Sequence, residues 1–193
     1  MKHIVMAAAL AGIAFNATAA ITASVTGSVN NLPSLVVDGA VPVETTSWTA
    51  DENLWWIGQE GEGGVVVTLD FGDLFSVEQL TVSFDNNDSY QIDYSVDGSA
   101  WGGLWFVGAS AGNVGVFPGG MDTLSSDPLS GEYTGDGFTP VVARYLRAYA
   151  VDGDGMYSIG EIQATLAPVP EPGSMALLLS GLFVIGAVVR RSV

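Results

Sequence analysis

Two kinds of side chain carry most of the chemistry open to this sequence: carboxylates, which are abundant, and tryptophans, two of which stand side by side. The 193 residues include 21 Asp and Glu against 5 Lys and Arg. Residues 21–167 hold 20 of the acids, with Arg144 and Arg147 as the only bases. Carboxylates at this density attract cations, calcium in particular. A pair roughly 5 to 10 Å apart in a cleft could run glycoside hydrolysis, but no pair stands out by its position. The same field repels phosphates and anionic membrane surfaces, so nucleic acid drops out as a partner. His3 is the only histidine, Lys2 the only lysine, and cysteine is absent. Residues 21–167 therefore have no imidazole, thiol or amine for a Ser-His-Asp triad, a Cys nucleophile, a Schiff base or a His/Cys zinc site. No catalytic residue is assigned, and the expectation is that the chain is not an enzyme.

Trp55 and Trp56 lie between Asp51-Glu52-Asn53 and Gly58-Gln59-Glu60-Gly61, outside any alternating run. Loop aromatics offer flat apolar faces that stack on sugar rings, while neighbouring carboxylates and amides accept hydroxyl protons. Adjacent residues on an extended chain point opposite ways, so one of the pair is expected to be buried and the other available. Trp105 is counted with them as a ligand-facing aromatic, and Trp101 is read as core. In so acidic a field Arg144 and Arg147 are expected to be paired with carboxylates.

The elements that must position these groups are strands. In Tyr90-Gln91-Ile92-Asp93-Tyr94-Ser95-Val96 every second residue is apolar, and Leu80, Val82 and Phe84 alternate with Thr81, Ser83 and Asp85 in the same way. Residues 65–69 are a nearly continuous β-branched run suited to a central strand. Residues 143–151 and 161–166 add two more. Between them stand Asp85-Asn86-Asn87-Asp88, Asp97-Gly98, Asp136-Gly137 and Asp152-Gly153-Asp154-Gly155, all turn chemistry. The last of these also approximates an EF-hand loop ending at Glu161, but its first ligand position would be Ala150 and no helices flank it, so a tight turn is preferred. Many short strands with Gly/Asp turns predict an all-β, antiparallel sandwich. A domain of this size buries enough surface to fold without disulfides.

The two ends read as appendages. Residues 1–20 have a basic start, an apolar stretch and small residues at Ala17-Thr18-Ala19-Ala20, the pattern of a signal peptide cut by signal peptidase. Residues 168–173 are a proline-rich linker that cannot continue as helix. The uncharged apolar run 175–189 then gives about 22 Å of helix, short for the roughly 30 Å hydrocarbon layer unless its flanks extend it. Arg190 and Arg191 favour the cytoplasmic side of an inner membrane, leaving the domain outside.

Pro170-Glu171-Pro172, a short transmembrane helix and Arg190-Arg191 together resemble the PEP-CTERM sorting signal of Gram-negative bacteria. That resemblance implies processing by exosortase, a membrane transpeptidase, and an association with exopolysaccharide. Pro170, Glu171 and Pro172 would then be recognition residues.

A second resemblance covers residues 35–166. Asp38-Gly39, Trp48, the strand Val67-Thr68-Leu69-Asp70-Phe71-Gly72, the hairpin Tyr94-Ser95-Val96-Asp97-Gly98 with Trp101, the strand Ala143-Arg144-Tyr145-Leu146-Arg147 and a closing Gly160-Glu161-Ile162 resemble, in that order, a discoidin or coagulation-factor type C domain. This is the galactose-binding-like jelly roll of many carbohydrate-binding modules. The resemblance implies a structural calcium held by Asp38, the Thr46 hydroxyl and Glu161, with Glu44 as a substitute ligand, and a binding face that Arg147 could line.

The sequence thus predicts a signal peptide over 1–20, a jelly-roll β-sandwich over 21–167 and a sorting segment over 168–193. The expected function is that of an exported, exosortase-sorted surface or matrix protein with a non-catalytic carbohydrate-binding module. A matrix protein without a small ligand and a carboxylate-only glycosidase are the alternatives.

Overall fold

The computed structural model describes residues 21–112, 114 and 120–169. The segments expected to be a signal peptide and a transmembrane helix, with Pro170, Glu171, Pro172, Arg190 and Arg191, lie outside the described residues. Among the described residues no helix is long and apolar enough to cross a membrane.

Among the described residues eight strands form the domain: β1 (Thr22–Thr26), β2 (Leu54–Ile57), β3 (Val66–Asp85), β4 (Ser89–Ser95), β5 (Gly102–Val107), β6 (Met121–Ser125), β7 (Val141–Asp152) and β8 (Met156–Pro168). A short 3-10 turn, Pro33–Val37, sits between β1 and β2. The hydrogen-bonded path runs β2-β8-β3-β7-β4-β5, with β1 and β6 also paired to β3. Every strand pairing is antiparallel, as the alternation predicts.

The long β3 joins the two layers. Its first part pairs with β1 and, from Val67 to Asp70, with β7; after a register shift between Asp70 and Phe75 its second part pairs with the start of β7 from Phe75 to Val77 and with β8 and β6. Gly72 sits at that corner with φ +79°, a conformation costly for a residue with a Cβ. Its N–H donates to Asp70 Oδ1 at 2.7 Å, which fixes the bend. The sequence reads residues 65–69 and the Leu80–Val82–Phe84 alternation as separate strands; the corner makes them one.

One core fills the space between the layers. Val67, Leu69 and Phe71 from the first part of β3, Ile92 from β4 and Leu146 from β7 pack with Leu80, Val82, Phe84, Ile159 and Ile162. The Phe84 and Tyr90 rings stack across the gap at 4.3 Å, and Tyr90 meets Tyr157 edge-on at 6.4 Å. β4 thus faces the second part of β3 and the neighbouring β8 across the core, which is the predicted sandwich. Four strands have no counterpart in the alternation read from the sequence: β1, β2 around the tryptophan pair, β5, which only the hairpin at Asp97-Gly98 implies, and β6 inside the Gly-rich stretch 108–140.

Candidate functional site

Extension of β2 decides the fate of the tryptophan pair. Its four residues pair with β8 in the register Leu54↔Ile159 to Ile57↔Met156, so neighbours alternate between faces. Trp56 is fully buried and packs against the Tyr157 ring at 5.7 Å. Trp55 is half-buried on the other face, where Trp48 meets it edge-on at 5.3 Å. The expectation of one buried and one available ring is met; the assignment of Trp56 to a ligand is corrected to core. Trp105 is 3% exposed and packs near Phe138, so it too belongs to the core and not to a ligand face.

Around Trp55 the amides are already engaged in shaping the loop. Asn31 Nδ2 donates to the Asn53 carbonyl at 2.8 Å and Asn53 Nδ2 to the Ser47 carbonyl at 3.0 Å. These bonds hold residues 47–53 against β2 and set the angle between Trp48 and Trp55. The carboxylates of Asp51 and Glu52 stay exposed beside them.

Arg147 is occupied on every side. It donates to Asp93 Oδ2 from Nε at 3.0 Å and from Nη2 at 2.8 Å, and to Glu62 Oε2 at 2.7 Å. Its guanidinium lies 4.6 Å from the Trp101 ring centre and 5.5 Å from that of Tyr149. Tyr149 donates to the same Asp93 oxygen, and burial, with the adjacent Asp93 charge, pushes its hydroxyl up to about 12. The arrangement is a structural rivet on the outer face, and Trp101, read as core, is the half-buried lid of that rivet. Arg144 likewise closes a bidentate pair with Asp70 at 2.9 and 3.0 Å.

The four residues assigned to calcium divide. Glu161 is 2% exposed; its Oε1 accepts the Gly39 N–H at 3.2 Å, and its Oε2 is buried without a hydrogen-bond partner. Burial raises its pKa, and the charge of Asp38 adds to the rise. Asp38 stands exposed at the start of the same loop, its Oδ1 accepting the Ala40 N–H at 2.8 Å. Thr46 is half-buried, and its carbonyl takes the Met121 N–H at 2.9 Å. Glu44 is grouped elsewhere: its carboxylate lies within 4.8 Å of those of Asp122 and Glu132. The substitute role given to Glu44 is therefore corrected, because loop 43–46 turns its side chain toward β6.

A third acidic region was legible only as a turn. Asp85 and Asp88, between β3 and β4, are 2% and 1% exposed. Burial, with the charge of Asp154, pushes Asp85 up to about 6. Burial, with the charges of Asp85 and Asp154, pushes Asp88 up to about 8. The β7–β8 turn closes over them: the Asp154 N–H reaches Asp88 Oδ1 at 3.1 Å, and Asn87 Nδ2 reaches Asp154 Oδ2 at 3.0 Å. The segment likened to an EF-hand is thus the tight turn of the simpler reading.

No arrangement of nucleophile, base and oxyanion donors emerges among the described residues; what the surface offers is aromatic faces, carboxylates and held loops. A β-sandwich of this connectivity is the discoidin-like, galactose-binding-type fold. The comparison with solved structures bears this out. The chain is similar to the first family 32 carbohydrate-binding module of a family 31 glycoside hydrolase from Clostridium perfringens, with a TM-score of 0.50, 14% identity, and 75% of this chain and 92% of that one covered. It is also similar to part of a family 89 glycoside hydrolase from the same organism, solved in complex with 2-acetamido-1,2-dideoxynojirmycin, with a TM-score of 0.51, 16% identity and 80% of this chain covered. In that case the match spans 15% of the enzyme. Residues 168–192 match the PEP-CTERM protein-sorting motif. No curated protein matches the chain.

Proposed function

We propose that the protein is exported, sorted through its C-terminal segment by exosortase, and binds carbohydrate at the cell surface or in the surrounding matrix without catalysing a reaction. The observation that carries this reading is the pairing, in one chain, of the sorting motif over residues 168–192 with a carbohydrate-binding-module sandwich. On that sandwich Trp55, braced by Trp48 and flanked by exposed carboxylates, is an aromatic face for a sugar ring. Arg147 serves the fold through its ion pairs. Signal peptidase would act at residues 17–20, and the apolar run 175–189 would hold the chain in the inner membrane until processing.

Calcium fits the loop that begins at Asp38. A buried carboxylate oxygen without a donor, Glu161 Oε2, beside a second acid is what a hard cation with oxygen ligands requires. Asp38, Glu161 and Thr46 would hold it, and the ion would tie the loop to β8. Its part is structural.

Retention of the purified chain on immobilised polysaccharides, with and without calcium, tests the proposal. Binding that Trp55→Ala abolishes while the melting temperature stays unchanged is the expected result. Retention on no polysaccharide under either condition would remove the sugar-binding reading.

A further inference from the structure

Most aromatic surface in the domain is spent on other rings or on Arg147, but Phe106 is not. It lies on β5, at the opposite end of the strand path from β2 and Trp55, and is 54% exposed. Among the described residues its ring has no aromatic partner.

Phe106 forms one wall of a cavity of about 230 Å³ that is completed by Gly108, Ser110, Ala111, Thr134 and Asp136. Both flanking segments are anchored. The Ala109 N–H donates to Ser89 Oγ at 3.1 Å and the Ala111 N–H to the Gly108 carbonyl at 2.8 Å, which ties the chain leaving β5 to β4. On the other side the Ser125 N–H donates to the Glu132 carbonyl at 2.7 Å and the Thr134 N–H to the Ser125 carbonyl at 3.3 Å, laying that segment along β6. Thr134 Oγ1 then donates to the Asp136 carbonyl at 3.2 Å.

Apart from the Thr134 hydroxyl, the lining side chains are left unspent among the described residues. A Cβ at position 108 would stand 3.5 Å from Phe106 Cε1, so a larger side chain there would lie against the ring; glycine leaves it bare. The Ser110 hydroxyl and the Asp136 carboxylate make no hydrogen bond among the described residues. A flat apolar face beside an unpaired carboxylate and a hydroxyl matches a pyranose, which has an apolar face and a rim of hydroxyl donors. Among the described residues Asp136 is the only ionisable group on the lining, and both arginines of the domain are committed to other carboxylates. A uronate or sulfated sugar would bring a second negative charge with nothing to pair it.

We propose that this cavity is a second carbohydrate subsite, taking a sugar ring without acidic groups. Phe106 stacks on the ring face, and Asp136 and Ser110 bind its hydroxyls. The proposal rests on the carbohydrate-binding reading above and adds to it a place and a ligand class.

The test uses the purified full chain in affinity electrophoresis through gels containing galactan, dextran, chitosan or alginate. The variants are Phe106→Ala, Gly108→Val, Asp136→Asn and, for comparison, Trp55→Ala. Retardation by at least one of the first three polymers and not by alginate is expected, weakened roughly tenfold by Phe106→Ala and by Gly108→Val. Gly108→Val places a side chain in van der Waals contact with the Phe106 ring and takes nothing from the core, so it reports on the cavity even if the aromatic deletion perturbs folding. If retardation survives the three cavity variants and is lost only with Trp55→Ala, the cavity proposal fails and the general reading stands. If alginate is bound in a Phe106-dependent way, the ligand class is wrong. If no polymer retards the unaltered chain, both proposals fall.

Discussion

Asp88→Asn separates charge from shape at the most crowded end of the sandwich. The side chain is 1% exposed, accepts the Asp154 N–H at 3.1 Å, and lies so close to Gly153 that a Cβ there would collide with it. Asparagine keeps the size and the accepting oxygen but cannot ionise. Because burial lifts the carboxyl from 3.8 to about 8, the folded chain binds more protons than the unfolded chain between those values. Stability is therefore greatest below the unfolded pKa and is lost as pH climbs toward the folded one. At about 1.4 kcal/mol per pK unit, a rise of roughly four units sets a ceiling near 6 kcal/mol. The neighbouring Asp85, lifted to about 6, titrates with Asp88 as a coupled pair, so their losses do not simply add. Taking about half of the ceiling for relaxation of the surroundings, the variant should gain roughly 3 kcal/mol over the unaltered chain at pH 8 and almost nothing at pH 4. For a domain of this size that is about 6 to 12 °C in melting temperature. Calorimetric scans at pH 4, 6 and 8 in chelator read it out. Equal melting of the two proteins at pH 8, or a gap that fails to shrink on acidification, would refute the account of Asp88.

The other predictions concern single contacts. Calcium at a hundredfold excess over its Kd should stabilise the fold by about 2.7 kcal/mol; because Glu161 must ionise from a raised pKa, that gain should grow with pH and vanish in Glu161→Gln, as thermal melts with and without chelator would show. Trp56→Ala should cost about 3 to 5 kcal/mol in urea unfolding, whereas Trp55→Ala should cost about 1 kcal/mol or less and show its effect in polysaccharide retention. Asp93→Ala leaves Arg147, with 14% of its side chain exposed, short of its main partner, and denaturant unfolding should register a loss of about 3 to 5 kcal/mol.

Where local pattern and long-range packing agree, the sequence is a good guide. Tyr90 and Ile92 alternate with polar neighbours and are both buried in β4, and Asp152-Gly153-Asp154-Gly155 forms the turn its composition calls for. β2 is hidden because it is four residues long, has β8 as its one strand partner and is bordered by polar loops; only that pairing shows which tryptophan is inside. β6 is hidden because Met121, Asp122, Leu124 and Ser125 are all buried, which erases the alternation that would announce it. The acidity of 85–88 was plain, but its burial arises from a turn some 66 residues away that folds over it. Phe106 gave no signal at all, since an aromatic in a strand is ordinarily core. Only the topology places it at a free edge, and only the segments 108–111 and 134–136 make a hollow beside it.

The ladder between β8 and β3 runs from Phe84↔Ile159 to Phe75↔Pro168, and the chain leaves the domain straight from its far end. A tug applied there acts along the strand and strains the whole row of rungs together instead of opening them one by one. The domain is thus joined to whatever holds its tail through its longest ladder, and a pull along that strand loads the joint in shear.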